Sequence, residues 1–151
     1  MLEGRKWNVI PNPALRTNDN SALNGIAALS GNNIYAVGYQ PAANRAVLTL
    51  VEHWNGSAWS VVSSPNANST GNTLMAIAAD SPSDIWAVGD IVAPNVAVQP
   101  LVEHFDGTNW SVVPSPNPII DSSLDQNVLT SVIALSPTDV TAAGFILDFA
   151  P

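Results

Sequence analysis

The chain has 151 residues, of which 46% are hydrophobic and only 11% charged, with a net charge of −8 and no cysteine. So high an apolar share excludes intrinsic disorder, and a charged fraction under half the usual ~25% leaves solubility to neutral polar loops. Four cations (Arg5, Lys6, Arg16 and Arg45) against twelve acids argue against nucleic acid or anionic lipid as a partner, and the lack of thiols rules out disulfides and thiolate metal sites.

No apolar run approaches the roughly 20 residues of a membrane-spanning helix, so no membrane insertion is expected. Met1–Trp7 lacks the apolar centre of a signal peptide, and any export signal is expected to lie outside this chain.

A repeat is visible from the start. Trp7-Asn8-Val9-Ile10 corresponds to Trp59-Ser60-Val61-Val62 and to Trp110-Ser111-Val112-Val113. Each is followed by a Pro/Asn-rich stretch, and proline ends or blunts a strand because it lacks a ladder donor. Apolar runs follow at Leu23–Leu29, Leu74–Ala79 and Leu129–Leu135, short enough and flanked closely enough by turn formers to read as buried strands.

Each run leads into a tight turn: Ser30-Gly31-Asn32-Asn33, Ser81-Pro82-Ser83-Asp84, Ser136-Pro137-Thr138-Asp139. Ser first and Asx fourth suit a β-turn in which side chains bond nearby amides. A second strand follows at Ile34–Gly38, Ile85–Gly89 and Val140–Gly144, its glycine permitting close approach by a neighbouring backbone. After a longer polar connection comes a hairpin, Leu50–Trp54 to Trp59–Val62 and Leu101–Phe105 to Trp110–Val113. Asn55-Gly56 and Asp106-Gly107 supply the positive φ that short hairpin loops need.

The expected unit is therefore four short antiparallel strands in about 51 residues, an all-β architecture of β-propeller type with about three blades. A β-sandwich is the alternative, but it does not require repeats this similar. One domain spans 1–151, with repeats at about 21–66, 72–117 and an incomplete 127–151, and 5–13 forming a stray outer strand. Propellers close with four to eight blades. The chain is accordingly expected to be part of a longer protein or to join copies of itself into a ring.

Ser81, then Asp84-Ile85-Trp86-Ala87-Val88-Gly89, Leu101-Val102-Glu103-His104-Phe105-Asp106-Gly107 and Trp110 carry a further signal. This pattern resembles bacterial β-propeller repeats of the kelch-like or sialidase-type kind, over nearly the whole chain. The resemblance implies a bacterial, extracellular or cell-surface protein.

Glu52-His53 and Glu103-His104 are the Glu/His pairs that acid/base or metal chemistry would use. Neighbours in a strand point to opposite faces, so one pair cannot act as a unit. Recurrence in each repeat favours a structural contact. Asn33, Asp84 and Asp139 read as turn caps rather than calcium ligands, since Asn replaces Asp in the first copy and no Asp-x-Asp-x-Asp cluster is present. Trp54, Trp59, Trp86 and Trp110 could stack on sugars, but their recurrence favours packing. No catalytic residue, metal site or cofactor is expected.

The first-to-second and third-to-fourth turns are nearly constant, whereas the remaining loops diverge, so recognition is expected in Tyr39–Val47, Ala67–Asn72, Asp90–Gln99 and Ile119–Gln126. The candidate ligand-binding residues are Tyr39, Gln40, Arg45, Asn68, Asp90, Asn95, Asp121 and Asp125. The function expected is a non-catalytic binding or scaffold module for a protein or glycan. A fragment of a propeller glycoside hydrolase or lyase is the alternative.

Overall fold

The computed structural model describes residues 8–12, 20–42, 45–67, 70–92, 97–118 and 124–149, which form ten strands and no helix. They are β1 (Ala22–Ser30), β2 (Asn33–Pro41), β3 (Val47–Trp54), β4 (Trp59–Val62), β5 (Gly71–Ser81), β6 (Asp84–Val92), β7 (Gln99–Phe105), β8 (Trp110–Val112), β9 (Gln126–Ser136) and β10 (Asp139–Leu147). The protein is all-β, with a mixed eight-stranded sheet and a two-stranded sheet of β9 and β10.

The mixed sheet is two antiparallel meanders, β1–β4 and β5–β8, joined by one parallel bridge between Val47 and Gly71. An equivalent bridge between Val98 and Gln126 ties the second meander to the β9–β10 hairpin. Both junctions use the same backbone contact: Val47 N–H donates to Thr70 O at 2.9 Å, and Val98 N–H to Asp125 O at 2.8 Å.

The repeat also fixes register. Opposite β2, β3 places His53 on Tyr35, Glu52 on Ala36 and Leu50 on Gly38. Opposite β6, β7 places His104 on Trp86, Glu103 on Ala87 and Leu101 on Gly89. The first hairpin strand of each unit carries a bulge, between Leu23 and Gly25, between Leu74 and Ala76, and opposite the Ala143/Gly144 step. At these steps the second-strand glycine meets the partner backbone. A Cβ on Gly89 would lie 1.9 Å from Thr73 O, and the same holds for Gly38 against Ala22 O. The glycines thus serve the close approach expected of them.

Gly56 and Gly107 adopt φ of +95° and +94°, as the Asn-Gly and Asp-Gly loops require. Asn55 Oδ1 and Asp106 Oδ1 each accept from the backbone amides two and three residues on, which locks both loops. Each loop packs on the first turn of its own unit, where Trp54 Nε1 donates to Gly31 O at 3.3 Å.

The core lies between the meanders. Tyr35, Val37 and Val51 of the first pack with Leu74, Ile77, Ile85, Ala87, Leu101, Phe105 and Trp110 of the second. Asn24 Nδ2 donates to Leu74 O at 2.8 Å, pinning β1 to β5. The hairpin continues the pattern, since β9 lies against β5, β6 and β7 as β5 lies against β1, β2 and β3.

The outer strand expected over 5–13 differs. Residues 8–12 form no strand, Val9 is almost fully exposed, and Pro11 cannot donate to a ladder. Trp7 lies outside the described residues. The first, second and third strands of the units run longer than expected, with pairing that continues past the glycines so that β2 reaches Pro41 and β6 reaches Val92, while β4 keeps Trp59–Val62 and β8 ends one residue early at Val112.

The glycine contact yields a direct test. Gly89→Ala should lower the unfolding free energy by about 2–4 kcal/mol, as backbone must move to admit the methyl group. Gly31→Ala, with open space around its Cβ, should change it by less than about 0.5 kcal/mol. Urea denaturation of both variants measures the difference.

Candidate functional site

The Glu/His pairs divide between two environments, as strand alternation demands. The histidines lie at the meander surface, half-buried, each in a three-residue clamp. Asn33 Oδ1 accepts from His53 Nε2 at 2.8 Å, and the Tyr35 ring lies 4.5 Å from the imidazole, centroid to centroid. In the second unit Asp84 Oδ1 accepts from His104 Nε2 at 2.8 Å, and Trp86 stacks on His104 at 4.2 Å. Asp84 Oδ1 also accepts from Trp86 Nε1 at 2.9 Å, so one carboxylate oxygen serves two rings.

The fourth turn residue is therefore not a cap on its own turn. Asn33 and Asp84 reach across the sheet to the third strand. Within the turns, Ser30 Oγ instead donates to Asn32 Oδ1 at 2.6 Å, and Ser83 N–H donates to Ser81 Oγ at 3.3 Å.

The glutamates face inward and are fully buried. Asn12 Nδ2 donates to Glu52 Oε2, while Glu52 Oε1 has no partner among the described residues. Burial raises the Glu52 carboxyl above its usual range, and the Asn12 bond only partly offsets this. Glu103 is worse served. Ser64 comes near enough to favour its charge, but the Ser64 hydroxyl is engaged with Thr49 Oγ1 at 2.7 Å. Neither Glu103 oxygen then has a hydrogen-bond partner, and desolvation pushes its pKa up to about 8. Near neutral pH Glu103 is mostly a neutral acid sealed between sheets.

Asn12 and Ser64 occupy equivalent repeat positions, one unit ahead of the glutamate each approaches. The Pro/Asn stretch after a fourth strand thus crosses to the next unit. Thr49 anchors one crossing: its N–H donates to Asn66 Oδ1 at 2.9 Å and its hydroxyl to Pro65 O at 3.0 Å. At the next crossing Pro100 replaces Thr49 and brings no N–H, and the buried Asn117 Oδ1 is left without a partner among the described residues.

The candidate ligand-binding residues lie apart from this machinery. Tyr39 and Gln40 belong to β2 itself rather than to a loop, and Gln40 Nε2 donates to Thr49 O at 3.4 Å. Arg45 is exposed at a tight loop, with φ of +66° and its N–H donating to Ala42 O. Asp90 is buried within β6, and desolvation raises its pKa. Asp125 is fully buried ahead of β9 and accepts from Phe149 N–H at 3.0 Å. Asn68, Asn95 and Asp121 lie outside the described residues. Of the five described, Arg45 alone is exposed.

Sequence reasoning missed the role of Asn33 and Asp84 as histidine partners. The signal was present: an Asx and a His recur at the same separation of 20 residues in both units. Of the tryptophans, Trp110 is part of the core, 5.4 Å from Phe105, while Trp54 and Trp59 form a half-buried pair at 5.7 Å. Among the described residues no three His, Asp or Glu side chains converge to hold a metal ion.

The raised Glu103 pKa sets a pH dependence. Between about 4.5 and 8 the native state holds a proton that the unfolded chain has released, so stability falls as pH rises across that window. Glu103→Gln removes this slope. It should stabilise the protein by roughly 2–4 kcal/mol at pH 8 relative to wild type and by less than about 1 kcal/mol at pH 5. Denaturant melts at the two pH values measure it; Glu52 and Asp90 shift the same way and leave a shared background slope. Compared with protein-family models and with curated proteins, the chain matches none.

Proposed function

We infer that the chain is a segment of a β-propeller that serves as a non-catalytic binding or structural module, working outside the cell. One observation carries the reading. The Glu and His side chains that recur in the repeat meet the same kind of surroundings in both the first and the second unit. The glutamates are sealed and the histidines clamped, in the first and second units alike. A scaffold repeated for shape leaves recognition to what it does not repeat, the loops around 42–46, 67–70, 93–98 and 119–125.

Propeller architecture is supported by how the units follow one another. Each first strand packs on the first three strands of the preceding unit, through the same parallel bridge. Ile77 and Val132, at equivalent positions, are each 8% exposed, whereas Ile26 in the first unit is 65% exposed. At the other end, Phe145, Ile146 and Leu147 are also exposed. Such ends call for neighbouring units, supplied by further copies or by more of a longer polypeptide.

Three measurements test this. Glycan-array and protein pull-down binding should be lost on Ala substitution in the divergent loops, beginning with Arg45→Ala, and should survive Glu103→Gln. Turnover of a polysaccharide that depended on Glu52 or Glu103 would overturn the reading in favour of a hydrolase or lyase. Light scattering should find the chain associated, with twice the mass of one chain for six-blade closure. A monodisperse, cooperatively melting monomer would count against the propeller.

A further inference from the structure

The seam between the first and second units carries a cleft of about 470 Å3, walled by residues 62–65 of the crossing segment and by residues 108–110 of the second hairpin. Two buried polar groups lie in the same seam. Trp110, itself 7% exposed, has its indole Nε1 buried without a hydrogen-bond partner among the described residues, and so are both carboxyl oxygens of the fully buried Glu103. Buried polar groups left unpaired are costly, and a ligand that pairs them gains what the fold has forgone. We propose that this cleft binds a small neutral polyol, one hydroxyl of which inserts between Ser64 and Trp110 to serve both groups.

Register brings the two groups to one face of one hairpin. Phe105 pairs with Trp110 and Glu103 with Val112, so Glu103 and Trp110 are diagonal neighbours across β7 and β8. Diagonal pairs stand about 7–8 Å apart, within reach of long side chains. Ser64, which approaches Glu103, is itself part of the cleft wall, as is the Trp110 ring. A hydroxyl oxygen accepts from the indole N–H and donates to or accepts from the carboxyl, so a single group satisfies both.

The equivalent position in the first unit explains the space. There Asn12 reaches Glu52 with its amide. Ser64 stands in its place one unit on, with a shorter side chain whose hydroxyl is already engaged with Thr49 Oγ1 at 2.7 Å. The second seam therefore lacks both the bulk and the donor that an amide supplies in the first.

The lining selects the class of ligand. No charged side chain among the described residues lines the cleft, so an ion finds no counter-charge there. Ser63, Thr108 and Asn109 are exposed and offer further hydroxyl and amide groups, while Val62, Pro65 and the Trp110 ring offer apolar surface. Hydroxyls for the first set and C–H faces for the second are the chemistry of a sugar or a sugar alcohol. The volume falls within the ~300–1,000 Å3 usual for small-molecule sites. None of these residues belongs to the divergent loops, so the seam site is separate from loop recognition and does not rest on it.

The test is a titration of the 15N-labelled whole chain near pH 6 with sorbitol, glucose, galactose and mannose. It follows the Trp110 indole N–H resonance, identified as the one missing from Trp110→Phe. A saturable shift of that resonance is expected with at least one of the four. Ser64→Asn, which places in this seam the residue that serves Glu52, should weaken the binding at least tenfold; its remaining indole resonances, if unmoved, show that it has folded. Trp110→Phe keeps a ring but loses the N–H, and should weaken binding about fivefold as read from the backbone amides of residues 62–65. A trisaccharide ending in the preferred sugar separates the two sources of this chemistry: equal or tighter binding assigns the site to the end of a glycan, and at least tenfold weaker binding assigns it to a free polyol.

The proposal is overturned if none of the four compounds gives a saturable shift, or if all indole resonances drift together without saturating. Binding that is unchanged by Ser64→Asn overturns it as well. Should that variant fail to fold, unchanged binding by Trp110→Phe is sufficient to refute the site. The Trp110 resonance reports the seam alone, so its silence leaves loop recognition standing, and loss of loop binding leaves the seam site standing.

Discussion

A four-stranded meander has two faces, and a single meander buries neither from both sides. In this protein the solution is stacking: β5 lies against the first three strands of the first unit, and β9 against those of the second. The difference between Ile26 and its buried counterparts Ile77 and Val132 is the direct measure of that coverage. Core formation, the bridging of units at Val47–Gly71 and Val98–Gln126, and the exposure of both ends follow from this one arrangement.

Stacking has a cost, carried by the glutamates. Each sits on a small residue, Ala36 or Ala87, that leaves room for a carboxyl between layers. In the first unit Asn12 compensates in part; in the second, Thr49 competes for Ser64 and Glu103 keeps its proton instead. A buried carboxyl without donors is stable only when neutral. The histidine clamps have the opposite character, since a half-buried imidazole with an oxygen acceptor and an aromatic face has its polar and apolar surfaces both met. These are ways of fixing register, and they give the recurring Glu-His sequence a structural part in each unit.

The third unit shows what a paired third strand contributes. β2 and β6, which pair with β3 and β7, are mostly buried, whereas β10 pairs with β9 alone among the described residues and is exposed along nearly its whole length. Burial of the second strand therefore comes from the strand beside it and from the neighbouring unit, not from its own apolar content.

The sequence by itself determined the four-strand unit, its turns and its repeat, because period-2 alternation, Pro/Asn stops and Asn-Gly or Asp-Gly loops are local signals that act within a few residues. The opposite facing of Glu and His was legible for the same reason. What lies across the sheet was not. That Asp84 turns to His104 rather than to its own turn, that Tyr39, Gln40 and Asp90 belong to strands, and that Asp125 is buried depend on register and on how far pairing continues. The Glu103 proton depends on Ser64, 39 positions earlier in the chain, and on Thr49 beside it. Tertiary structure decides such matters because a side chain's partners and its access to water are set by the neighbouring unit, which no window of local sequence contains.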